Sequence, residues 1–412
     1  MSISPERVVF VGPDPLPAVA SRLPVICADS CGIGVGESPG LDRFEVSGPV
    51  SSAALMELPA VQERIRSTAT AVTVWKSSAA VERSAGQLGV VVGNAPALVS
   101  RRIENKRYFS REAGAAGLPL PPFVAGVAGA ELLRTAAQLH GPMVFQLAHG
   151  FSGEHTYPAT GEEELAELMH RFAGRACRVA QRVDGTPVTV TGVIAEDQLL
   201  VGQACVQLTG LPSLTPHPLG SCGNDYSNPV PEAKAVHQLA LRTAEWLRRQ
   251  GHLGIFGLDL VVGQDGSIWC IEVNPRLVAS VPLFDLSARD REEPGILSLH
   301  LASFGLGQAA KTTLECHWSQ LILYQRSQRL QRPGVATACG QLSTAGHFTP
   351  EGGLQLEGPA SGQAALLVQA QSRPGRELAR IWFEGPCCGP DGTLLPHLES
   401  YARELRSQLE AP

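Results

Sequence analysis

Four polar residues interrupt an otherwise apolar stretch near position 260: Asp259 in GLDLVV, then Glu272, Asn274 and Arg276 in CIEVNPR. Between the two runs lies Asp265-Gly266, a dipeptide that favours the positive φ angles of a two-residue hairpin turn. Folded about that turn, Leu258 faces Val273, Leu260 faces Ile271 and Val262 faces Trp269, which makes one face continuously apolar. On the other face Asp259 stands opposite Glu272, and Asn274 points the same way two residues on. Directly opposed side chains on neighbouring strands have Cβ atoms only about 4.5–5.5 Å apart, and like charges there repel. A raised pKa on one acid would relieve the pair. A bound divalent cation explains the asparagine as well, because Mg²⁺ takes oxygen ligands and sits between carboxylates and substrate phosphates. Arg276, just beyond, suits a developing phosphoryl or carboxylate charge.

These residues need a scaffold that brings other parts of the chain to them. At 412 residues the protein has room for two or three domains. The first 98 residues alternate strand-like runs (Val8–Val11, Pro24–Ala28, Ala71–Trp75, Gly89–Val92) with helical stretches (Ser51–Arg66, Ser78–Leu88). That alternation predicts a small parallel α/β domain. The glycine-bearing CGIGVGESPG, Cys31 to Gly40, reads as a loop, because Pro39-Gly40 stands where a dinucleotide motif needs a helix. A helix is expected over Arg101–Gly117, followed by the extended exit LPLPPF. Then come strands at Met143–Gln146, Val188–Ile194 and Leu199–Val206, and helices at Glu162–Phe172 and Pro231–Gln250. The stretch LTGLPSLTPHPLGSCGNDYSNP reads as a long loop, whose Asn224 and Asp225 are candidate ligand contacts. Beyond residue 310 the chain is rich in Gly, Pro and Gln, with strands at Ala364–Val368 and Leu378–Phe383 and a closing amphipathic helix on Leu394, Leu398, Tyr401, Leu405 and Leu409.

Composition removes several functions. Net charge is −6 and no block of Lys and Arg exists, which argues against a nucleic-acid surface. No apolar run spans a bilayer, and MSISPERVVFVGPDP has no signal-peptide layout. Ten scattered cysteines, without CxxC, HExxH or Cys/His clusters, exclude a disulfide framework or zinc site. A cytoplasmic protein with reduced thiols is expected. Only four lysines occur, which makes Lys106 harder to dismiss as background.

Taken together, Asp259 and the Glu272-x-Asn274-x-Arg276 ending resemble the signature of the ATP-grasp superfamily. Upstream features follow the family's order: Asn105-Lys106 opening a helix, the exit Gly117-Leu118-Pro119-Leu120-Pro121, the strand Gly141–Gln146, and the glycine turn Gly150–Gly153. The resemblance implies an ATP-grasp fold, mixing α/β and α+β, with an N-terminal Rossmann-like domain (1–98), an ATP-grasp domain (99–310, two subdomains split near 176) and a β-rich C-terminal segment (311–412). It implies Asp259, Glu272 and Asn274 as ligands of Mg²⁺ (or Mn²⁺) on ATP, and Arg276 as the catalytic residue that assists phosphoryl transfer or holds substrate. It implies Lys106, Gln146, Ser152 and Gly153 as phosphate contacts, and the run VAQRVDGTPV, containing Gln181, beside adenine. Gln146 stands where many members carry a second ATP-contacting lysine, so one positive charge is missing unless a nearby arginine substitutes.

The activity implied is an ATP-dependent carboxylate–amine ligase working through an acyl phosphate on small-molecule substrates, compatible with a homodimer. No nucleophile elbow or P-loop is present, as expected of phosphoryl transfer by positioning and charge neutralisation. A biotin-carboxylase-like enzyme activating bicarbonate is the alternative, although LVASVPLF replaces that subfamily's Gln-Val-Glu-His run after the arginine. A non-catalytic ATP-binding regulator is a third reading, prompted by Gln146.

Overall fold

The computed structural model describes residues 7–410 apart from 30, 31, 47, 49, 151, 152, 309, 311, 332, 390 and 391. Its first sheet contains β1 (Val8–Val11), β2 (Val25–Ala28), β3 (Leu41–Phe44), β4 (Ala71–Thr73) and β5 (Val91–Val92). All its pairings are parallel, in the order β3-β2-β1-β4-β5. This doubly wound order matches the Rossmann-like expectation. β3 was not legible as a strand, because its LDRF is polar and lies at the sheet edge. The single helix expected over Ser51–Arg66 is two: α1 (Ser52–Met56) and α2 (Pro59–Thr68). Pro59 starts a new helix because it cannot donate to the preceding turn. The third, α3 (Ala79–Leu88), starts with Ser78 as cap and ends on left-handed Gly89. Residues 32–40 form no helix, and β3 follows them directly.

The helix expected over Arg101–Gly117 is likewise divided, into α4 (Ala97–Glu104) and α5 (Lys106–Ala115). Asn105 ends one and caps the other, its Oδ1 accepting from the amides of Arg107 and Tyr108 at 3.0 and 3.2 Å. A small antiparallel sheet follows, ordered β6-β9-β7-β8, from β6 (Phe123–Val127), β7 (Met143–Leu147), β8 (Thr156–Ala159) and β9 (Ala176–Gln181). Two helices, α6 (Ala130–Ala136) and α7 (Glu162–Arg171), cover it. Phe145, Leu165, Met169 and Val179 fill the layer between.

The third sheet has ten strands: β10 (Thr186–Ile194), β11 (Leu199–Thr209), β12 (Ser221–Asp225), β13 (Gly254–Val262), β14 (Ile268–Asn274), β15 (Trp318–Tyr324), β16 (Ala338–Leu342), β17 (Phe348–Gly352), β18 (Ala364–Val368) and β19 (Glu377–Glu384). Their order is β14-β13-β10-β11-β12-β15-β19-β18-β16-β17, so the central and C-terminal parts of the chain share one sheet. The helix α8 (Ala233–Arg249) packs Val236, Leu239, Ala240, Ala244 and Leu247 onto Val188, Val190, Leu258 and Leu260 of that sheet. The remaining helices are α9 (Val281–Asp290), α10 (Ile296–Ala302) and α11 (Pro396–Leu409), the last burying Leu398, Tyr401, Leu405 and Leu409. One expectation is corrected: the segment containing Asn224 and Asp225 is not loop but strand β12, held between β11 and β15. Among the described residues no helix is long and apolar enough to cross a membrane.

Candidate active site

The site begins with the hairpin β13–β14, whose turn differs from the sequence expectation. Gly263 donates to the Ser267 carbonyl (2.8 Å) and Gly266 to the Gly263 carbonyl (3.0 Å), so the turn holds three residues, Gln264 to Gly266. Only Gly266 takes a left-handed φ (+78°), as expected of a three-residue loop ending on a left-handed residue. Near the turn Leu260 therefore faces Cys270 and Val262 faces Ile268, in place of Ile271 and Trp269. A bulge between Asp259 and Leu260 then absorbs one residue, Ile271, and restores the expected pairing: Asp259 with Glu272, Leu258 with Val273. The turn and the bulge cancel, so the two carboxylates stand opposed after all. Leu258, Leu260, Val262, Cys270 and Val273 are buried on the far face.

Asp259 is enclosed by donors. Its Oδ1 accepts from Thr189 Oγ1 (2.9 Å) and Gln207 Nε2 (3.1 Å), and its Oδ2 from Asn274 Nδ2 (3.1 Å). Burial, and then the negative charge of Glu272, push its pKa up to about 6 despite these bonds. Glu272 is held from across the cleft by Lys106 Nζ at 3.2 Å. Lys106 is the first residue of α5 and is buried; a cation there opposes the helix dipole, which the facing carboxylate offsets. Arg276 is fixed on several sides. It donates from Nη2 to Asn274 Oδ1 (2.8 Å), from Nη1 to the Leu277 carbonyl (3.1 Å) and from Nε to Glu104 Oε1 (2.9 Å). Its guanidinium lies 5.7 Å from the Trp75 ring centroid. Glu104 also pairs with Lys76, so Trp75-Lys76 at the end of β4 buttresses this arginine.

Across the cavity stands the small sheet. Gln146 on β7 faces Arg178 on β9 in the ladder. Gln146 Oε1 accepts from Arg178 Nε (3.1 Å) and from its Nη2, while Gln146 Nε2 donates to Thr156 Oγ1 at 3.4 Å. Arg178 also donates from Nη1 to Ser110 Oγ (2.9 Å) and from Nη2 to the carbonyl of the bulged Ile271 (3.1 Å). It is 3% exposed, and burial pushes its pKa down to about 10, which leaves it charged at neutral pH. Gly153 has φ +78° and packs so tightly on Gly220 that a Cβ would come within 2.5 Å of its Cα. Glu154 meets Arg376 at 3.3 Å. Gln181 lines the cavity where the small sheet passes into the large one, and its backbone N–H donates to the Pro122 carbonyl at 2.8 Å.

Thus Gln146, Gly153, Gln181, Asp259, Glu272, Asn274 and Arg276 line one cavity of about 410 Å³, with Lys106 reaching Glu272 behind it. Ser152 lies outside the described residues. Asn224 also lines the cavity, but its Oδ1 accepts from Gln320 Nε2 (2.7 Å) and its Nδ2 donates to Cys205 Sγ (3.4 Å). Asp225 does not face the cavity, because successive residues of a strand point to opposite faces. Its Oδ1 accepts from the amides of Ser227 and Asn228, and its Oδ2 from those of Cys387 and Cys388, so it fixes loops and is corrected from a ligand contact to a structural side chain. The sequence reading missed Thr189, Gln207 and Arg178. Each acts through a strand pairing, although the alternation in β10 and β11 would have placed Thr189 and Gln207 on the polar face. A second cavity of about 450 Å³ adjoins the first and shares Trp75, Ala279, Ile322 and Tyr324 with it.

The sequence of residues 103–280 matches the ATP-grasp domain family. No curated protein matches the chain in sequence. Among solved structures, the fold is similar to N5-carboxyaminoimidazole synthase from Aspergillus clavatus in complex with ADP and 5-aminoimidazole ribonucleotide (15% identity, 98% of each chain covered, TM-score 0.59). It is also similar to N5-carboxyaminoimidazole ribonucleotide synthetase from Thermotoga maritima (13% identity, 98% of each chain, TM-score 0.60). A third is the biotin carboxylase–beta-gamma-ATP complex from Campylobacter jejuni (12% identity, 92% of this chain and 87% of that one, TM-score 0.62). At such identities the likeness is one of fold, and it runs far beyond the matched segment. Residues 103–280 are thus an ATP-grasp domain, and the chain as a whole has the ATP-grasp fold.

Proposed function

We propose that the protein is an ATP- and Mg²⁺-dependent carboxylate–amine ligase. The observation that carries this reading is the row Asp259, Glu272 and Asn274, flanked by Arg276 in one cavity and met by Lys106 from behind it. The donor set fits a hard cation: two carboxylates and an amide oxygen on one sheet face, with Asp259 raised in pKa by burial and then by the charge of Glu272. Mg²⁺ at that row would neutralise phosphate charge during transfer. The chain's own part is positioning. Lys106 and Gln146 bind phosphate oxygens, Gly153 brings backbone close to them, and Gln181 lies at the adenine end. Arg276, locked by Glu104, Asn274 and Trp75, meets the charge that develops on the transferred group.

In the reaction a carboxylate oxygen attacks the γ-phosphorus of ATP, and the bond to the β–γ bridging oxygen breaks, releasing ADP. The amine nitrogen then attacks the carbonyl carbon of the acyl phosphate, a C–N bond forms, phosphate leaves, and the amine proton passes to solvent. The adjoining cavity is where the carboxylate and amine are expected to meet the phosphate, with Trp75, Ile322 and Tyr324 as walls that exclude water. We assign residues 1–98, 99–310 (split near 176) and 311–412 as the three domains. The nine described cysteines are buried free thiols, which suits a reducing cytoplasm.

The test is ADP release from Mg·ATP over a panel of carboxylates, bicarbonate and amines, with Glu272→Gln as the control. Release that requires both a carboxylate and an amine, and is abolished in the variant, is the expected result. Tight ATP binding without release on any pair would refute the ligase and leave a nucleotide-binding regulator. Release with bicarbonate alone would favour the carboxylase reading.

A further inference from the structure

We propose that Arg178 supplies the phosphate-binding positive charge that position 146 lacks, with the Gln146 amide as its orienting partner. This rests on reading the first cavity as a nucleotide site.

A buried cation is costly unless an opposite charge completes it. Arg178 is almost fully buried and lines the cavity. Its four protein hydrogen bonds all go to neutral oxygens: Gln146 Oε1 twice, Ser110 Oγ and the Ile271 carbonyl. Among the described residues no carboxylate is in ion-pair contact with it, and one Nη1 hydrogen has no protein acceptor. The guanidinium is thus held rigid by neutral groups, and the Glu272 carboxylate acts on it only through space, without a hydrogen bond. Gln146 commits its oxygen to the guanidinium and one amide hydrogen to Thr156 Oγ1 (3.4 Å), which leaves its other N–H as a donor. Both ends of the pair therefore offer hydrogen to an anion and neither offers an acceptor.

Gln146 and Arg178 are directly opposed in the ladder, which explains why only one of them is cationic. A lysine at 146 would face the guanidinium as a like-charge cross-strand pair. The positive charge has moved one strand over, and a planar fork that grips two oxygens replaces a point charge. The ligand this arrangement takes is a di- or triphosphate chain, not a nucleoside.

Equilibrium binding of ATP, ADP and adenosine to the full chain, without turnover, tests the assignment beside thermal unfolding. Arg178→Met should weaken ATP and ADP binding roughly 10- to 100-fold, the range for losing a charged hydrogen-bonding group, and leave adenosine unchanged. The double variant Arg178→Met with Gln146→Lys returns a charge to the neighbouring strand and should regain most of the lost ADP affinity. If the single variant does not fold, the double variant carries the test. Wild-type ADP affinity in Arg178→Met, equal losses for ADP and adenosine, or a folded double variant without recovery would each overturn the proposal. If the wild-type chain binds neither ATP nor ADP, the nucleotide reading itself has failed.

Discussion

Replacing Asp259 with asparagine should make the metal-free protein more stable while destroying its activity. In the absence of a cation, Asp259 is an enclosed carboxylate opposed to Glu272, and its pKa rises from 3.8 to about 6. A folded acid that holds its proton to higher pH stabilises the fold at low pH and loses that contribution as pH rises. The penalty is thus absent below about pH 4, grows between about pH 4 and 6, and is complete above. A shift of about two units corresponds to roughly 3 kcal/mol. Asparagine removes that penalty but offers one carbonyl oxygen to three donors, Thr189, Gln207 and Asn274, which costs about 1 kcal/mol or more. The net expectation is a gain of about 1–2 kcal/mol at about pH 8, shrinking toward zero as pH falls through the Asp259 pKa. Urea unfolding in chelator at several pH values measures it. Adding Mg²⁺ and ADP should stabilise the wild type far more than the variant, because ligands stabilise only the state they bind. An asparagine variant less stable than wild type at about pH 8 in chelator would refute the electrostatic account, and one with wild-type turnover would refute the metal assignment.

Two further substitutions separate positioning from folding. Glu104→Gln removes the charged partner of Arg276 and of Lys76; kcat should fall about tenfold with KM for ATP little changed, the pattern of an interaction used in the transition state. An unchanged kcat would mean that Asn274 and Trp75 suffice to hold the arginine. Asp225→Asn places an amide against backbone donors from Ser227, Asn228, Cys387 and Cys388 and should cost about 2–4 kcal/mol of stability, with ADP affinity of the folded protein unchanged. Wild-type melting would show that those loops hold without it.

The parts legible in the sequence were those governed by local pattern. Alternating and continuous apolar runs gave Val8–Val11 and Ala364–Val368 at their observed bounds, and the heptad-like leucines gave α11. The Asp259–Glu272 pairing was also anticipated, although its route was not: neither the three-residue turn nor the compensating bulge leaves a mark in composition. β12 was hidden because SCGND has turn-like residues and is a strand only through β11 and β15, the latter nearly a hundred residues later. Arg178 was hidden for the same reason, since its proximity to Gln146 is a property of the β7–β9 ladder. The site's metal-facing half lies in one hairpin and reads locally, whereas its phosphate-facing half is assembled from distant strands.

The sharing of one sheet between the central and C-terminal parts has a consequence for synthesis. β12, which carries Asn224 toward the cavity, stays an unpaired edge until β15 arrives, and β15 in turn leans on β19, which ends at Glu384. A growing chain therefore cannot complete the wall of this cavity until residues through Glu384 have emerged. During that interval it exposes an open strand edge of the kind that invites wrong partners. The C-terminal strands thus seal that edge as the chain is made, a role independent of any substrate they contact.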